Sequence, residues 1–375
     1  MKTILRTSLL ISLILAMTAC ALPEVTPEPT TTTAVQPTST APVIPVSPTA
    51  TETPASTGQV ITAANAAQLQ AADRTASSNA QALVWSQDSQ TISLISQNSS
   101  TGTDQVFSDA LLAVPSLAPD LVYAAVAGAQ RMVPSPDGKT VAVMPADNTQ
   151  VDLIDVASKT ILQTLEPGYP VNTVGFSPDG KTVSISSQDA WQVTLFDAAT
   201  GQKTQTLSGF ETAAPVYDAG FAGTNNSIVW HARGTLQVQD IQTQALGPTL
   251  SHEDFISGVA FSLSPDGKLL ASASMKTING TFEPVVYLWD PATGTYLDGL
   301  VLQAAGTALA FSPDGSLLAV AAENAIEIWN VAAKTRLATL TDNPNPVYLL
   351  AFSPDGRWLA SSGYENQLIL FAIGQ

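Results

Sequence analysis

The side chains best suited to chemistry are His252, Glu253 and Asp254, which follow one another and could hold a cation or transfer protons. The sequence offers no nucleophile–base pairing for this cluster. It also lacks the G-x-S-x-G, H-E-x-x-H, G-x-x-x-x-G-K-[ST] and EF-type calcium motifs. The sequence therefore predicts a non-catalytic protein with no metal and no cofactor. One alternative is an enzyme whose shallow active site is built on this cluster near the central axis of the fold. The simplest interpretation of the same three residues is a solvated loop.

A second set of acidic residues recurs in the tetrapeptide Ser-Pro-Asp-Gly. In such a turn proline presets φ, aspartate bonds to nearby backbone and glycine takes positive φ. The copies fall at separate points along the chain, so we expect structural turns rather than one carboxylate site. The residues assigned to these turns are Asp137, Gly138, Asp179, Gly180, Asp266, Gly267, Asp314, Gly315, Asp355 and Gly356.

The turns recur at a regular step. The step from Asp88, in a worn copy, to Asp137 is 49 residues, and the step from Asp314 to Asp355 is 41. Within a step, alternating apolar segments separated by turn residues predict four short antiparallel strands, which is typical of a propeller blade. A segment near Phe221 keeps this apolar frame without the proline and aspartate, so the sequence predicts seven repeats.

Two repeats end their third strand in Trp289-Asp290 and Trp329-Asn330, and on these residues the segment from about 60 to 375 resembles the WD-repeat family. The resemblance implies an all-β fold, a seven-bladed β-propeller of four-stranded antiparallel blades over residues 59–375. The family's Gly-His pair is missing, so its buried His–Asp–Trp network is expected to be largely absent. Tol-type propellers, which serve in envelope assembly, also use Ser-Pro-Asp-Gly-Lys turns and remain an alternative.

The two ends of the repeat region are expected to pair. The chain finishes soon after a third-strand pattern, Leu368–Ile373, so the last blade lacks a fourth strand of its own. Val60–Asp73 resembles the N-terminal segment that supplies this strand in such propellers. Because pairing would remove an exposed sheet edge, deletion of residues 59–74 is expected to destabilise the whole ring.

The only cysteine, Cys20, follows a positively charged start and an apolar run, Thr7–Met17, that is too short to span a bilayer. The tetrapeptide MTAC that ends at this cysteine resembles the bacterial lipobox, with Met where Leu is usual. The resemblance implies that residues 1–19 are a lipoprotein signal peptide and that Cys20 is acylated. We therefore expect a lipid anchor on the extracytoplasmic side of the cell membrane.

The segment that follows, residues 20–58, is rich in proline and threonine and contains no aromatic residue. It cannot bury enough apolar surface to offset the entropy of ordering, so the sequence predicts a disordered stalk. The whole chain has 31 acidic and 14 basic residues, a formal net charge of −17. A surface of this charge repels phosphate backbones, and no nucleic-acid partner is expected.

The WD-repeat resemblance implies that loops on the top face bind partners. Aromatic residues in polar loops suit interface anchors, although Tyr169, Phe210 and Phe255 could equally tuck under their loops as satellite core. Asn279-Gly280 predicts an extended hairpin that carries Phe282. We expect a monomer that binds an unknown protein, peptide or glycan of the cell envelope; a mechanical spacer is the alternative. The candidate binding residues are Tyr169, Phe210, Glu211, His252, Glu253, Asp254, Phe255, Phe282, Asn343 and Asn345.

Overall fold

The computed structural model describes residues 58–101, 104–117, 119–127, 129–187, 191–208, 216–221, 226–232, 235–251, 260–278, 281–363 and 365–374. The predicted signal peptide and all of the predicted stalk except Gly58 lie outside these residues. In the part of the chain that is described, no helix is long and apolar enough to cross a membrane.

The described chain consists almost entirely of β-strands. One short 3-10 helix, Ala66–Gln68, precedes them. The strands are β1 Leu69–Ser78, β2 Ala80–Trp85, β3 Thr91–Thr101, β4 Asp104–Ala113, β5 Pro119–Ala127, β6 Ala129–Pro134, β7 Thr140–Pro145, β8 Val151–Asp155, β9 Ile161–Leu165, β10 Thr173–Phe176, β11 Thr182–Ser187, β12 Gln192–Asp197, β13 Lys203–Leu207, β14 Val216–Phe221, β15 Ser227–Ala232, β16 Thr235–Asp240, β17 Phe261–Leu263, β18 Leu270–Ile278, β19 Thr281–Asp290, β20 Thr295–Val301, β21 Gly306–Phe311, β22 Leu317–Ala322, β23 Ala325–Asn330, β24 Thr335–Leu340, β25 Val347–Phe352, β26 Leu359–Gly363 and β27 Glu365–Ile373.

The strands form seven antiparallel sheets, and each sheet is one blade. In six of the blades the strands follow sequence order, as the alternation of short apolar segments and turns predicted, and in the last blade β1 joins β25–β27. Strands in the middle of a blade are buried on both faces; every residue of β22 is buried, for example. Such a strand is a continuous apolar run because each face packs against a neighbouring blade. The all-β, seven-bladed prediction is confirmed.

Apolar clusters join the blades into a closed ring. Each of seven clusters among the described residues lies between two neighbouring blades. The cluster that joins the first blade to the last packs Trp85 and Ile92 against Leu368 and Leu370. The Trp85 indole also donates to the Ala351 carbonyl at 3.1 Å. The hydrophobic core is therefore distributed between blades rather than concentrated in one centre.

The two ends of the described chain pair in the last blade, as expected. Strand β1 runs antiparallel to β27, with Leu69 opposite Ile373. The sequence placed this strand within residues 60–73, and that boundary was wrong. Asn65 Oδ1 accepts from the Thr62 backbone N–H at 2.7 Å, and the 3-10 helix that follows turns the chain. The strand consequently begins eight residues after Ile61, whose buried side chain belongs to the same core.

The fourth blade departs from the four-strand pattern. It has three strands, and the segment that would form a fourth makes only two isolated bridges, through Leu246 and Leu250. Gly247 and Pro248 lie between these bridges. Proline has no N–H to donate to a ladder, and glycine weakens a strand interior, so regular pairing fails there.

Tryptophan side chains in the fifth and sixth blades bond to different partners. The Trp289 indole donates to Ser272 Oγ at 2.9 Å. The Trp329 indole donates to Glu327 Oε2 at 3.0 Å. Glu327 is fully buried, accepts from the Gln303 backbone N–H at 2.9 Å and pairs with Arg336 at 3.2 Å. The sequence predicted that the family's buried His–Asp–Trp network would be largely absent. Here Ser272 and Glu327 accept the hydrogen bonds of the two indole N–H groups instead.

Candidate functional site

The meander topology gives the propeller two different ends. In a sheet of four antiparallel strands, successive connections alternate between ends. The Ser-Pro-Asp-Gly turns join first to second strands and lie at one end, here called the turn end. The connections from second to third strands, and the loops between blades, lie at the opposite connection end.

The second and third strands of the fifth blade extend beyond their neighbours at the connection end. β18 and β19 stay paired up to Ile278 and Thr281. The outer strand β20 stops pairing where Val301 meets Val285, and the inner strand β17 spans only three residues. Among the described residues, 275–278 and 281–284 therefore form a two-stranded ribbon that extends beyond the part of the blade in which four strands are paired.

Phe282 lies on this ribbon, opposite Thr277 in the register. Its side chain is 62% exposed, the largest exposed fraction among the large apolar side chains of the described residues. Glu283 is the next residue along the strand and pairs in register with Lys276. Successive side chains of a strand point to opposite faces, so Glu283 and Lys276 lie on the face of the ribbon opposite to Phe282. An exposed phenyl ring can insert into an apolar pocket of another molecule, as interface anchors do.

The first blade carries a second extended hairpin, which the sequence analysis missed. Its strands β3 and β4 have 11 and 10 residues, whereas β22 and β23 of the sixth blade have six each. The spacing of the repeated turns indicates this hairpin. The repeat step that contains this hairpin is 49 residues, and the step from Asp266 to Asp314, which contains the ribbon of the fifth blade, is 48.

Tyr169, in the loop between the second and third blades, is half-buried and packs against the apolar cluster of those blades. Its hydroxyl donates to the Ile185 carbonyl at 2.8 Å and accepts from the Thr194 backbone N–H at 3.0 Å. Burial raises the pKa of this hydroxyl above its ordinary value. Of the two roles considered for Tyr169, these contacts support the satellite core. The rim of an open depression of about 400 Å³ still includes it, together with Glu166 and Pro170.

Asn343 and Asn345 lie in the loop between the sixth and seventh blades. Asn343 is only 5% exposed, and its Oδ1 accepts from Ser361 Oγ at 2.8 Å. Asn345 is half-buried. The structure therefore brings Asn343 into the blade interface, and its amide holds the loop against the last blade.

The other candidate residues fall outside the described part of the chain. These are Cys20, Phe210, Glu211, His252, Glu253, Asp254 and Phe255. Among the described residues there is no group of three or more His, Cys, Asp or Glu side chains that could hold a metal ion.

Each repeated aspartate belongs to a turn within one blade, and the same turn geometry recurs from blade to blade. In the sixth blade Ser312 Oγ donates to Asp314 Oδ1 at 2.6 Å, and the same Oγ accepts from the Leu317 backbone N–H at 2.9 Å. Five further copies repeat this serine–aspartate bond at 2.6–2.7 Å, with Asp88, Asp137, Asp179, Asp266 and Asp355. The glycines that follow at 138, 180, 267, 315 and 356 have positive φ.

These turns also tie the carboxylates electrostatically to the backbone. The hydroxyl of Ser264 and the backbone N–H of Lys268 hold the pKa of Asp266 below its ordinary value. In the turn between the third and fourth strands of the third blade, the hydroxyl and the backbone N–H of Thr200 do the same for Asp197. Each aspartate therefore has a local structural role in its own blade.

Comparison with known proteins supports the repeat assignment. Three segments match the repeat described as "WD domain, G-beta repeat", at residues 246–290, 304–330 and 334–371. They cover β17–β19 of the fifth blade, β21–β24 of the sixth, and β25, β26 and most of β27 of the seventh, whereas β20 falls between two matched segments. Among curated proteins no match was found. Three segments of this seven-bladed β-propeller are thus similar to WD40 repeats.

Proposed function

We propose that this chain is a non-catalytic protein-binding platform and that the ribbon of the fifth blade makes its main contact. WD40 propellers generally act as scaffolds for other proteins, which supports the class of function. The single observation that carries the specific proposal is the position of Phe282. In the described part of the chain no third strand pairs with its ribbon, and 62% of its side chain is exposed.

The chemistry of the ribbon selects the kind of partner. Leaving a phenylalanine ring in water forgoes roughly 1.5–3 kcal/mol that burial would supply. An apolar pocket on another protein would recover this free energy. The partner that fits is therefore a folded protein with a small apolar cavity, rather than an extended polar glycan.

Site-specific photocrosslinking in cells tests this proposal. A photoreactive amino acid at position 282 should give one main adduct with a second protein. Ile161, on the outer strand β9 of the second blade, is 58% exposed and provides a matched control position. The Phe282→Ser substitution should lower capture of that protein at least tenfold, whereas Ile161→Ser should not. Diffuse adducts from position 282, or equal adducts from both positions, would instead favour a mechanical spacer.

We further propose that residues 1–19 are removed as a signal peptide, that acylated Cys20 anchors the chain, and that residues 20–58 are a stalk below the propeller of residues 59–375. The sequence around Cys20 supports this proposal. Several acyl chains, at about 0.8 kcal/mol per buried CH₂, give durable membrane attachment. Cys20→Ser should move the protein from the membrane to the soluble or secreted fraction. Unchanged membrane retention of this variant would contradict acylation.

A further inference from the structure

A pocket of about 260 Å³ lies at the centre of the ring, between the inner strands of the first four blades. The strands that line it are β2, β6, β10 and β14, which are the first strands of their sheets. A first strand has one edge without a neighbouring strand, so backbone N–H and C=O groups along this edge are available to a ligand.

Two glycines keep this pocket open without any structural need for glycine. Gly175 and Gly220 each stand one residue before the end of their inner strand, where the first and second blades have Val84 and Val133. A Cβ built at Gly220 would meet no atom within 4 Å, and one at Gly175 would meet only the Ser184 hydroxyl, at 3.5 Å. Neither glycine has positive φ.

Glycine in a strand interior is costly, and it often marks a place where a ligand approaches the backbone closely. Packing and backbone conformation would both accept a larger residue at these two positions. The blades therefore do not require glycine there, and the effect of the two glycines is to leave open volume in the pocket.

The pocket also carries an isolated positive charge. Arg131 lines it and is the only basic residue on any of the seven inner strands. The side chain is exposed, and no ion pair joins it to a carboxylate among the described residues. Gln81 and Gln130 line the pocket beside it. Both stand at β-bulges that open their strands, and the inner strands of the fourth, sixth and seventh blades also open with a bulge.

The polar residues and the glycines lie at different depths. Arg131 and Gln130 are near the start of β6, towards the connection end, while Gly175 and Gly220 are near the turns. At the turn end, Gln87 Nε2 donates to the Pro178 carbonyl at 3.3 Å and ties the turns of the first and third blades together. A ligand would thus enter from the connection end and meet the guanidinium first.

We propose that this axial pocket binds a ligand that carries a carboxylate. Arg131 would hold the carboxylate through paired N–H donors, which match its two oxygens. The body of the ligand would fill the space beside Gly175 and Gly220 and bond to the free strand edges. The carboxylate could belong to a small free acid or to the C-terminus of a polypeptide, and the site is independent of the blade-five ribbon.

Ligand-detected NMR on the full chain tests this inference with two probe sets. The first is a mixture of small acids, namely acetate, lactate, succinate and N-acetylglycine, with their amides as controls. The second is a mixture of random tetrapeptides with free C-termini, with the same peptides amidated. Acid forms should bind and amides should not. Binding of the small acids identifies a free-acid site, and binding of the tetrapeptides alone identifies a C-terminus site.

Two substitutions make the test specific. Arg131→Gln should weaken acid binding at least tenfold. Gly220→Val introduces the residue found at this position in the first and second blades, so it should leave the melting temperature unchanged while reducing binding at least tenfold. Arg74→Gln, on the outer strand β1, is the matched control and should change nothing. Equal binding of acids and amides, no binding of either set, or unaltered binding by both pocket variants would overturn the proposal.

Discussion

Removal of the Glu327 carboxylate should strongly destabilise the propeller. This side chain is fully buried between the fifth and sixth blades and takes three contacts, from the Trp329 indole, the Gln303 backbone N–H and the Arg336 guanidinium. In a Glu327→Ala variant the indole and the amide lose their acceptor, and the guanidinium loses its counter-ion. Each of the two donors left unsatisfied costs about 1–3 kcal/mol, whereas the Arg336 side chain is 34% exposed and is partly hydrated, so its lost pairing adds less.

Urea unfolding followed by tryptophan fluorescence measures this loss as a shift in midpoint at constant slope. The matched control is the exposed pair between Lys334 of the sixth blade and Asp298 of the fifth. Lys334→Gln should cost at most about 1 kcal/mol, as surface pairs do. Glu327→Gln keeps one acceptor oxygen and should fall between the two. If Glu327→Ala unfolds within 1 kcal/mol of the parent protein, the three contacts do not stabilise the blade as argued here.

Three further predictions follow from the turns and from the closure of the ring. Ser312→Ala should lower the free energy of unfolding by about 1–3 kcal/mol, because it leaves the buried Leu317 N–H without an acceptor; Ser316→Ala, which removes a more exposed hydroxyl from the same aspartate, should cost less in the same urea assay. Deletion of residues 58–78 removes β1 and uncovers β27, so the entire ring should lose cooperativity in calorimetry; loss of one blade alone would show that closure is dispensable. Folding lowers the pKa values of Asp197 and Asp266 from 3.8. Their contributions to stability are therefore complete above that pH and are lost as the pH falls through the lower folded pKa values. Asp197→Asn should flatten the pH dependence of the melting temperature below pH 4, and an unchanged slope would contradict this assignment.

The blade architecture could be predicted because it depends on interactions between residues that are close in sequence. Alternating apolar residues and Ser-Pro-Asp-Gly turns act within a few residues, and each blade repeats them. The lengths of the repeat steps also indicate where the long hairpins lie. The steps of 49 and 48 residues correspond to the two extended hairpins, and Asn279-Gly280 in the second is a stronger two-residue turn signal than Gly102-Thr103 in the first.

Other features depend on contacts between distant segments and could not be read from local patterns. Asn343 resembles an exposed loop residue, yet Ser361 on β26 fixes its amide in the interior. Tyr169 looked equally suited to either role until its hydroxyl was seen to bond to β11 and β12. The axial pocket is lined by four separate blades, and the meaning of Gly175 and Gly220 emerges only when the space beside them is known.

The pairing of β1 with β27 has a consequence for biogenesis. Leu69 and its partner Ile373 are 304 residues apart, so β1 is synthesised long before β27 can pair with it. Contacts between such remote segments form slowly, since a long loop must close first. Until then both strands present bare edges that can capture other chains. The nascent polypeptide therefore remains exposed to aggregation through the edge of β1 until β27 has been synthesised and has paired with it.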